Sequence, residues 1–424
     1  MAPLHSDITV FESVESEVRS YCRTWPAVFT RAQGSHMYDE DGRAFLDFFV
    51  GAGTLNYGHN NPVLKRALLD YLTHDGITHS LDMYTEAKRT FLETFRDLVL
   101  RPRGLTYKVM FPGPSGTNAV EAALKLARKA TGREAVVSFT HAFHGMTLGS
   151  LSVSGSAARS ENPGIPRLPS YHLPFDQYLD GDAGAPDFRW FRQLLDDKGS
   201  GFPHPAAVIV ETVQGEGGVN VARPEWLREL SRICKQHDML LIVDDIQMGC
   251  GRTGTFFSFE ESGIEPDIVT LSKSLSGYGL PLAVTLLRPE LDVWQPGEHN
   301  GTFRGPNPAF VTATAALHSY WSDNQLEKQV FAHGDQTELE LRRISHSRAG
   351  EGVSVRGRGL VWGLAFDRPE RAAEVRRRCF EQGLVIETAG PRDEVVKLLP
   401  PLTCTVDELE WGLDVITRAV AEAV

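Results

Sequence analysis

Leu240-Leu241-Ile242-Val243-Asp244-Asp245-Ile246-Gln247, followed by Ile268-Val269-Thr270-Leu271-Ser272-Lys273, decides how this chain folds. Each is a short apolar run of β type that ends in polar residues. That is the form of a buried parallel strand whose carboxyl end delivers functional groups to a crevice. The same form recurs at residues 109–111, 136–139, 207–211 and 283–287, with helical patterns at 119–127 and 224–236. Such alternation predicts an α/β fold: one mostly parallel central sheet with helices on both faces.

The two strand ends place a carboxylate, Asp244, beside an amine, Lys273. The pair suits pyridoxal 5'-phosphate: a lysine can hold the coenzyme aldehyde as a Schiff base, while an aspartate keeps the pyridine nitrogen protonated as an electron sink. A second element fits the same coenzyme. The strand at 109–111 runs into Gly113-Pro114-Ser115-Gly116-Thr117-Asn118 and a helix, and the free amides and dipole of such a helix start form an anion site. A threonine at such a place is more often a plain helix cap, and in Thr117 capping and phosphate contact can coexist.

Composition narrows the alternatives. The chain has 424 residues, 42% hydrophobic and 23% charged, with a formal net charge of -12, enough for a large core and two domains. The acidity and the lack of a basic run argue against nucleic acid. No run reaches the length of a membrane span and the first ten residues carry no secretory pattern, so a cytoplasmic enzyme of small substrates is expected. Five scattered cysteines (Cys22, Cys234, Cys250, Cys379, Cys404) indicate neither a disulfide framework nor a metal cluster.

In the remaining sequence, residues 1–35 read as an irregular or helical arm, and 37–46 as a hairpin around Asp41-Gly42. Gly51-Ala52-Gly53-Thr54-Leu55-Asn56-Tyr57-Gly58 is either a loop with demanding backbone angles or a backbone contact for a ligand. Asn61-Pro62 opens a helix that should bury Leu64, Ala67, Leu68, Tyr71 and Leu72. A second helix is expected over 85–98, a proline- and glycine-rich surface excursion over 155–187, and one long helix over 308–333. Strands near 359–366 and 395–398 and a last helix capped by Thr405 and Glu408 belong to a smaller α+β domain. The expected division is 1–60, an N-terminal segment packing with the small domain; 61–315, the large domain; and 316–424, the C-terminal small domain.

Ser115-Gly116-Thr117-Asn118-Ala119, Phe143-His144-Gly145, Glu211-Thr212-Val213-Gln214-Gly215-Glu216-Gly217-Gly218, Asp244-Asp245-Ile246-Gln247, Gly251-Arg252-Thr253-Gly254, Ser272-Lys273 and Thr302-Phe303 together resemble the class III aminotransferases, pyridoxal-phosphate enzymes of fold type I. The order and spacing match over nearly the whole chain. The resemblance implies that Lys273 carries the coenzyme, that Asp244 pairs with its ring nitrogen, and that Gln247 sits by its phenolic oxygen. It further implies that Ser115, Gly116 and Thr117 hold the phosphate, that Phe143 stacks on the ring in place of a usual tyrosine, and that Thr302 reaches the phosphate from a partner subunit. The active site is then shared in a homodimer at least.

A closer likeness over 51–62, 108–125, 142–154, 211–222 and 292–308 points to the branch that moves the amino group of L-glutamate onto the aldehyde of L-aspartate 4-semialdehyde in ectoine biosynthesis. Other ω-amino acid or diamine aminotransferases of the class share the same machinery. Many relatives use a glutamate and an arginine that pair or separate with the substrate; Glu216 matches the glutamate, whereas Lys397 stands where arginine is common. Lysine lacks the bidentate fork for a carboxylate. Lys397 reads either as the grip on the glutamate α-carboxylate or as a charge on an edge strand. Asp245 reads as a brace of the strand end, His144 as a core histidine bonded to backbone, and Arg252 as a loop anchor through carbonyls. A binding module without turnover has no need of the Asp244 and Lys273 pair, and a nicotinamide enzyme would need a Gly-x-Gly-x-x-Gly turn that is not found.

Overall fold

A computed structural model describes residues 8–155, 166–179, 188–348 and 352–423. Three antiparallel strands come first: β1 (Phe29–Gln33), β2 (His36–Asp39) and β3 (Ala44–Asp47). The expected hairpin is β2 and β3. The large sheet takes β4 (Lys108–Met110), β5 (Val136–Phe139), β6 (Ser170–Leu173), β7 (Ala207–Val210), β8 (Leu240–Asp244), β9 (Ile268–Leu271) and β10 (Val284–Leu287). Its order is β4-β10-β9-β8-β7-β5-β6, and β10 alone runs against its neighbours. The mostly parallel sheet is therefore present.

Period-two alternation sorts each central strand between two cores. Leu241 and Val243 of β8 join Val208, Val210, Val269 and Leu271 on one face, packed under the helices Pro224–Gln236 and Asn307–Tyr320. Ile242, Ala207, Ile209 and Ile268 turn to the other, where Val120, Ala123, Leu124 and Ala127 of the helix Gly116–Thr131 cover them. With both faces dry, most side chains of these central strands are apolar until the strand ends.

The second sheet consists of β11 (Val353–Arg358), β12 (Val361–Phe366), β14 (Glu387–Ala389) and β15 (Val395–Leu398), in the order β11-β12-β15-β14. Between them β13 (Leu384–Val385) leaves to pair in parallel with β3, Leu384 opposite Leu46. Leu46 and Phe48 share one core with Trp362, Leu364, Val396, Leu398 and Ile416. Val395 and Leu399 turn to the opposite face, against Val50, Val213, Val219 and Met248. Lys397 belongs to that second set by alternation. The closing helix Val406–Ala423 starts with the reciprocal cap expected: Thr405 Oγ1 accepts from the Glu408 amide at 3.2 Å, and Glu408 Oε2 from the Thr405 amide at 2.8 Å.

Several expectations are corrected. The long helix over 308–333 is two, Asn307–Tyr320 and Gln325–Ser347, because Ser322-Asp323-Asn324 compete for the backbone and Asp323 Oδ1 accepts from the Gln325 amide at 2.9 Å. The helix Pro62–Thr73 is capped by Asn61 as expected, but only Leu64 is buried and Leu72 is exposed. The helix over 85–98 ends at Phe95 and widens into a π turn over Arg96–Leu100. Of the excursion at 155–187, residues 156–165 and 180–187 lie outside the described part, and the rest supplies β6. Among the described residues no helix is long and apolar enough to cross a membrane.

Candidate active site

Asp244 is the last residue of β8 and pairs in register with Thr270 of β9, three residues before Lys273. The two strand ends thus bring acid and amine together at the carboxyl edge of the sheet. Asp244 is buried; Oδ1 accepts from the Ile246 amide and the Thr270 hydroxyl, both at 3.2 Å, and Oδ2 lies 2.7 Å from His144 Nδ1. His144 is therefore not a core histidine on backbone: its ring serves the acid. Its Nε2 is buried with no partner among the described residues. Burial alone would lower the His144 pKa, but the Asp244 carboxylate raises it above its ordinary value.

Lys273 holds a left-handed backbone, φ 47°, at the start of a short 3-10 turn, a conformation that costs a non-glycine residue energy and recurs at functional sites. Its Nζ donates to the Ala52 carbonyl at 2.9 Å, and Gln247 Nε2 donates to the same oxygen at 3.0 Å. That carbonyl is presented by a turn in which Val50, Gly51 and Ala52 all have positive φ, so the glycine-rich loop has the demanding backbone expected of it. Burial lowers the Lys273 pKa, against the charge of Glu216.

From Gln247 the network continues inward. Gln247 Nε2 also donates to Glu216 Oε1 at 3.1 Å, and Lys397 Nζ donates to the same oxygen at 2.7 Å. Burial would raise the Glu216 pKa, yet the Lys397 and Lys273 ammonium charges hold it down at about 2. Lys397 is fully buried and β15 is flanked by β12 and β14, so it is no edge-strand charge. Directly across the ladder stands Glu387, its Oε1 3.0 Å from Lys397 Nζ. Nothing in the sequence reading singled out Glu387. The available signal was a lone glutamate after Leu384-Val385-Ile386, an apolar run too short to read as a strand.

On the other side lies the helix start at Gly116. The amides of Gly116 and Thr117 have no acceptor among the described residues, and Ser115 Oγ donates to Asn118 Oδ1 at 2.7 Å. A Cβ on Gly116 would sit 3.0 Å from two Ile246 carbons, so the glycine lets the helix start approach the Asp244 strand end. Thr117 Oγ1 lies 2.7 Å from both Thr147 Oγ1 and Ser150 Oγ. The Phe143 amide donates to Glu211 Oε1 at 2.9 Å, and burial pushes the Glu211 carboxyl up to about 8.

Thr302 is not brought to this cluster within one chain. It is exposed, its carbonyl accepting from His79, on a loop tied down by the Arg304–Asp82 pair. Asp245 braces the strand end through the amide and hydroxyl of Ser258. Arg252 anchors carbonyls, donating to Leu360 at 2.9 Å and Pro400 at 2.6 Å. No group of three or more His, Cys, Asp or Glu among the described residues could hold a metal ion.

The family model described as aminotransferase class-III matches residues 19–420. The diaminobutyrate–2-oxoglutarate transaminase of Streptomyces avermitilis is 66% identical over 417 residues, 98% of each chain. Its namesake from Halalkalibacterium halodurans is 54% identical over 98% of this chain and 96% of its own. Among solved structures, the ornithine aminotransferase of Toxoplasma gondii superposes with a TM-score of 0.83 at 25% identity, over 98% of this chain and 94% of that one.

Proposed function

The chain belongs to the class-III aminotransferases, and from that premise we propose that it transfers the amino group of L-glutamate to L-aspartate 4-semialdehyde, giving 2-oxoglutarate and L-2,4-diaminobutyrate. The observation that carries this choice of substrates is the 66% identity, over 98% of both chains, to a transaminase named for that product and that keto acid. The proposed setting is the cytoplasm and the proposed pathway ectoine synthesis.

Pyridoxal 5'-phosphate is the cofactor, and the donor set fits it. Bound, it supplies a carbonyl that condenses with amines and a cationic ring that draws electrons from the neighbouring carbon. Lys273 would hold that carbonyl and would move the proton at the substrate carbon. Asp244, hydrogen-bonded by His144 and Thr270, would face the ring nitrogen. Gln247 would meet the phenolic oxygen, Phe143 would cover the ring, and Ser115, Gly116 and Thr117 would take the phosphate at the open helix start. Glu216 and Lys397 line the substrate side.

The site is completed by Thr302 of a second copy in a homodimer at least. In support, the single chain leaves Val63, Leu69, Leu72, Ile77, Met83 and Tyr84 exposed, and this surface is joined to the Thr302 loop through His79, which bonds Thr302 and bridges to Pro306. An apolar area of this kind marks an interface. An amine-transfer assay with glutamate against L-aspartate 4-semialdehyde and a panel of other aldehydes tests the function. Fastest turnover with the named aldehyde is the expected result; a strong preference for another aldehyde refutes the choice of acceptor.

A further inference from the structure

Lys397 is one cation held between two carboxylates. Glu216 Oε1 lies 2.7 Å from its Nζ and Glu387 Oε1 3.0 Å, with the lysine side chain fully buried. The two contacts differ in kind. The first is a hydrogen bond, whereas Glu387 Oε1, on a residue only 3% exposed, has no hydrogen-bond donor among the described residues despite its distance from the ammonium. A buried carboxylate oxygen without a donor is costly and draws an N–H group to itself.

The chain of contacts leads straight to the reacting end: Lys273 and Gln247 share the Ala52 carbonyl, Gln247 bonds Glu216, and Glu216 and Glu387 share Lys397. The charges of both glutamates act on Lys273. Burial pushes the Glu387 carboxyl up to about 7 against the Lys397 charge, so a second ammonium beside it favours its ionised form. A shared lysine also has a property that a one-to-one pair lacks. An incoming carboxylate can take one glutamate's place on Lys397 while the other keeps the lysine paired, so neither arrangement leaves a bare buried ammonium.

We propose that Glu387 is a specificity-determining residue of this site: its carboxylate recognises the ammonium group that the acceptor carries away from its aldehyde, while Lys397 remains available to a substrate carboxylate. The inference deepens the proposed function and rests on it, because the named acceptor bears an α-ammonium two carbons from its aldehyde carbon. An acceptor that has the same carbon skeleton but a carboxylate and no amine, succinate semialdehyde, gains nothing from Glu387.

The test compares kcat/KM for the two aldehydes, with glutamate as donor, in the wild-type holoenzyme and in Glu387→Gln and Glu387→Asp. For Glu387→Gln the expected result is a fall of roughly tenfold or more in the preference for aspartate semialdehyde over succinate semialdehyde, with the glutamate KM changed by less than about threefold. Glu387→Asp, which keeps the charge, should retain most of the preference even where kcat drops. A parallel loss on both aldehydes in Glu387→Gln, or an unchanged ratio, overturns the inference and leaves the aminotransferase reading intact. Should Glu387→Gln fail to fold, loss of the preference in Glu387→Asp also overturns it. A wild-type enzyme with no preference between the aldehydes overturns both readings.

Discussion

Asp244 Oδ2 lies 2.7 Å from His144 Nδ1, and both side chains are closed off from solvent. An acid at a strand end thus has its second oxygen satisfied from a different strand-to-helix connection, so its orientation does not depend on bound ligand alone. Asp244→Asn should lower kcat by roughly 10²–10³-fold, the scale for removing a preorganised charge from a dry site. His144→Gln should cost only about tenfold, because Ile246 and Thr270 still hold Oδ1. Steady-state kcat for the two variants checks the order; equal losses would show that the histidine does more than orient the acid.

The pH dependence of stability has a definite sign. Glu211 rises from 4.5 to about 8 on burial, so between those values the folded chain holds a proton that the unfolded chain has lost. Its contribution is complete below pH 4.5 and lost as pH climbs through about 8. His144, raised above 6.5, acts in the same direction, its contribution complete below 6.5 and lost above its folded value. Melting temperature should therefore decline from about pH 5 to 8, and Glu211→Gln should flatten that decline. A Glu211→Gln profile parallel to wild type would place the titration elsewhere.

Lys397→Met leaves Glu216 and Glu387 buried without their counter-charge. The loss of one partner from a buried ion pair costs about 3–5 kcal/mol, visible as a lower denaturation midpoint. Where the variant folds, the KM for glutamate should rise more than that for aspartate semialdehyde. Equal rises would remove Lys397 from carboxylate recognition.

Site sharing predicts complementation. Thr302→Ala should weaken coenzyme binding about fivefold to tenfold, the worth of about 1 kcal/mol for one hydrogen bond, and Lys273→Ala should abolish turnover. A mixed dimer of these two variants has one site with both residues intact, and that site should titrate with wild-type coenzyme affinity. Only weakened sites in the mixed population would mean that Thr302 serves its own chain.

Much of this was legible in the residues, for reasons that differ by element. Residues 136–139, 240–244, 268–271 and 395–398 are mostly apolar because both faces of their strands are covered, so their limits coincide with the runs themselves. Pro224–Gln236 begins at its proline, as expected. The break at 321–324 was hidden because Trp321 continues the apolar pattern while its indole donates to the Tyr57 hydroxyl at 2.8 Å, a contact across 264 positions. Separation in sequence, here 100 positions, likewise concealed His144 from Asp244. Glu387 was missed because its meaning comes from ladder register, which a three-residue strand cannot announce.

The pairing of Leu46 with Leu384 sets an order of events during synthesis. The first strands leave the ribosome early, but their core partners, from Leu341 to Val420, follow some three hundred residues later. The parallel sheet, by contrast, has all its strands in hand once Leu287 has emerged. Long-range closure is slow, so the beginning of the chain waits for its end, with Phe48 in need of cover in the interval. Refolding should show the aromatic signal of the sheet domain recovering before that of Trp362.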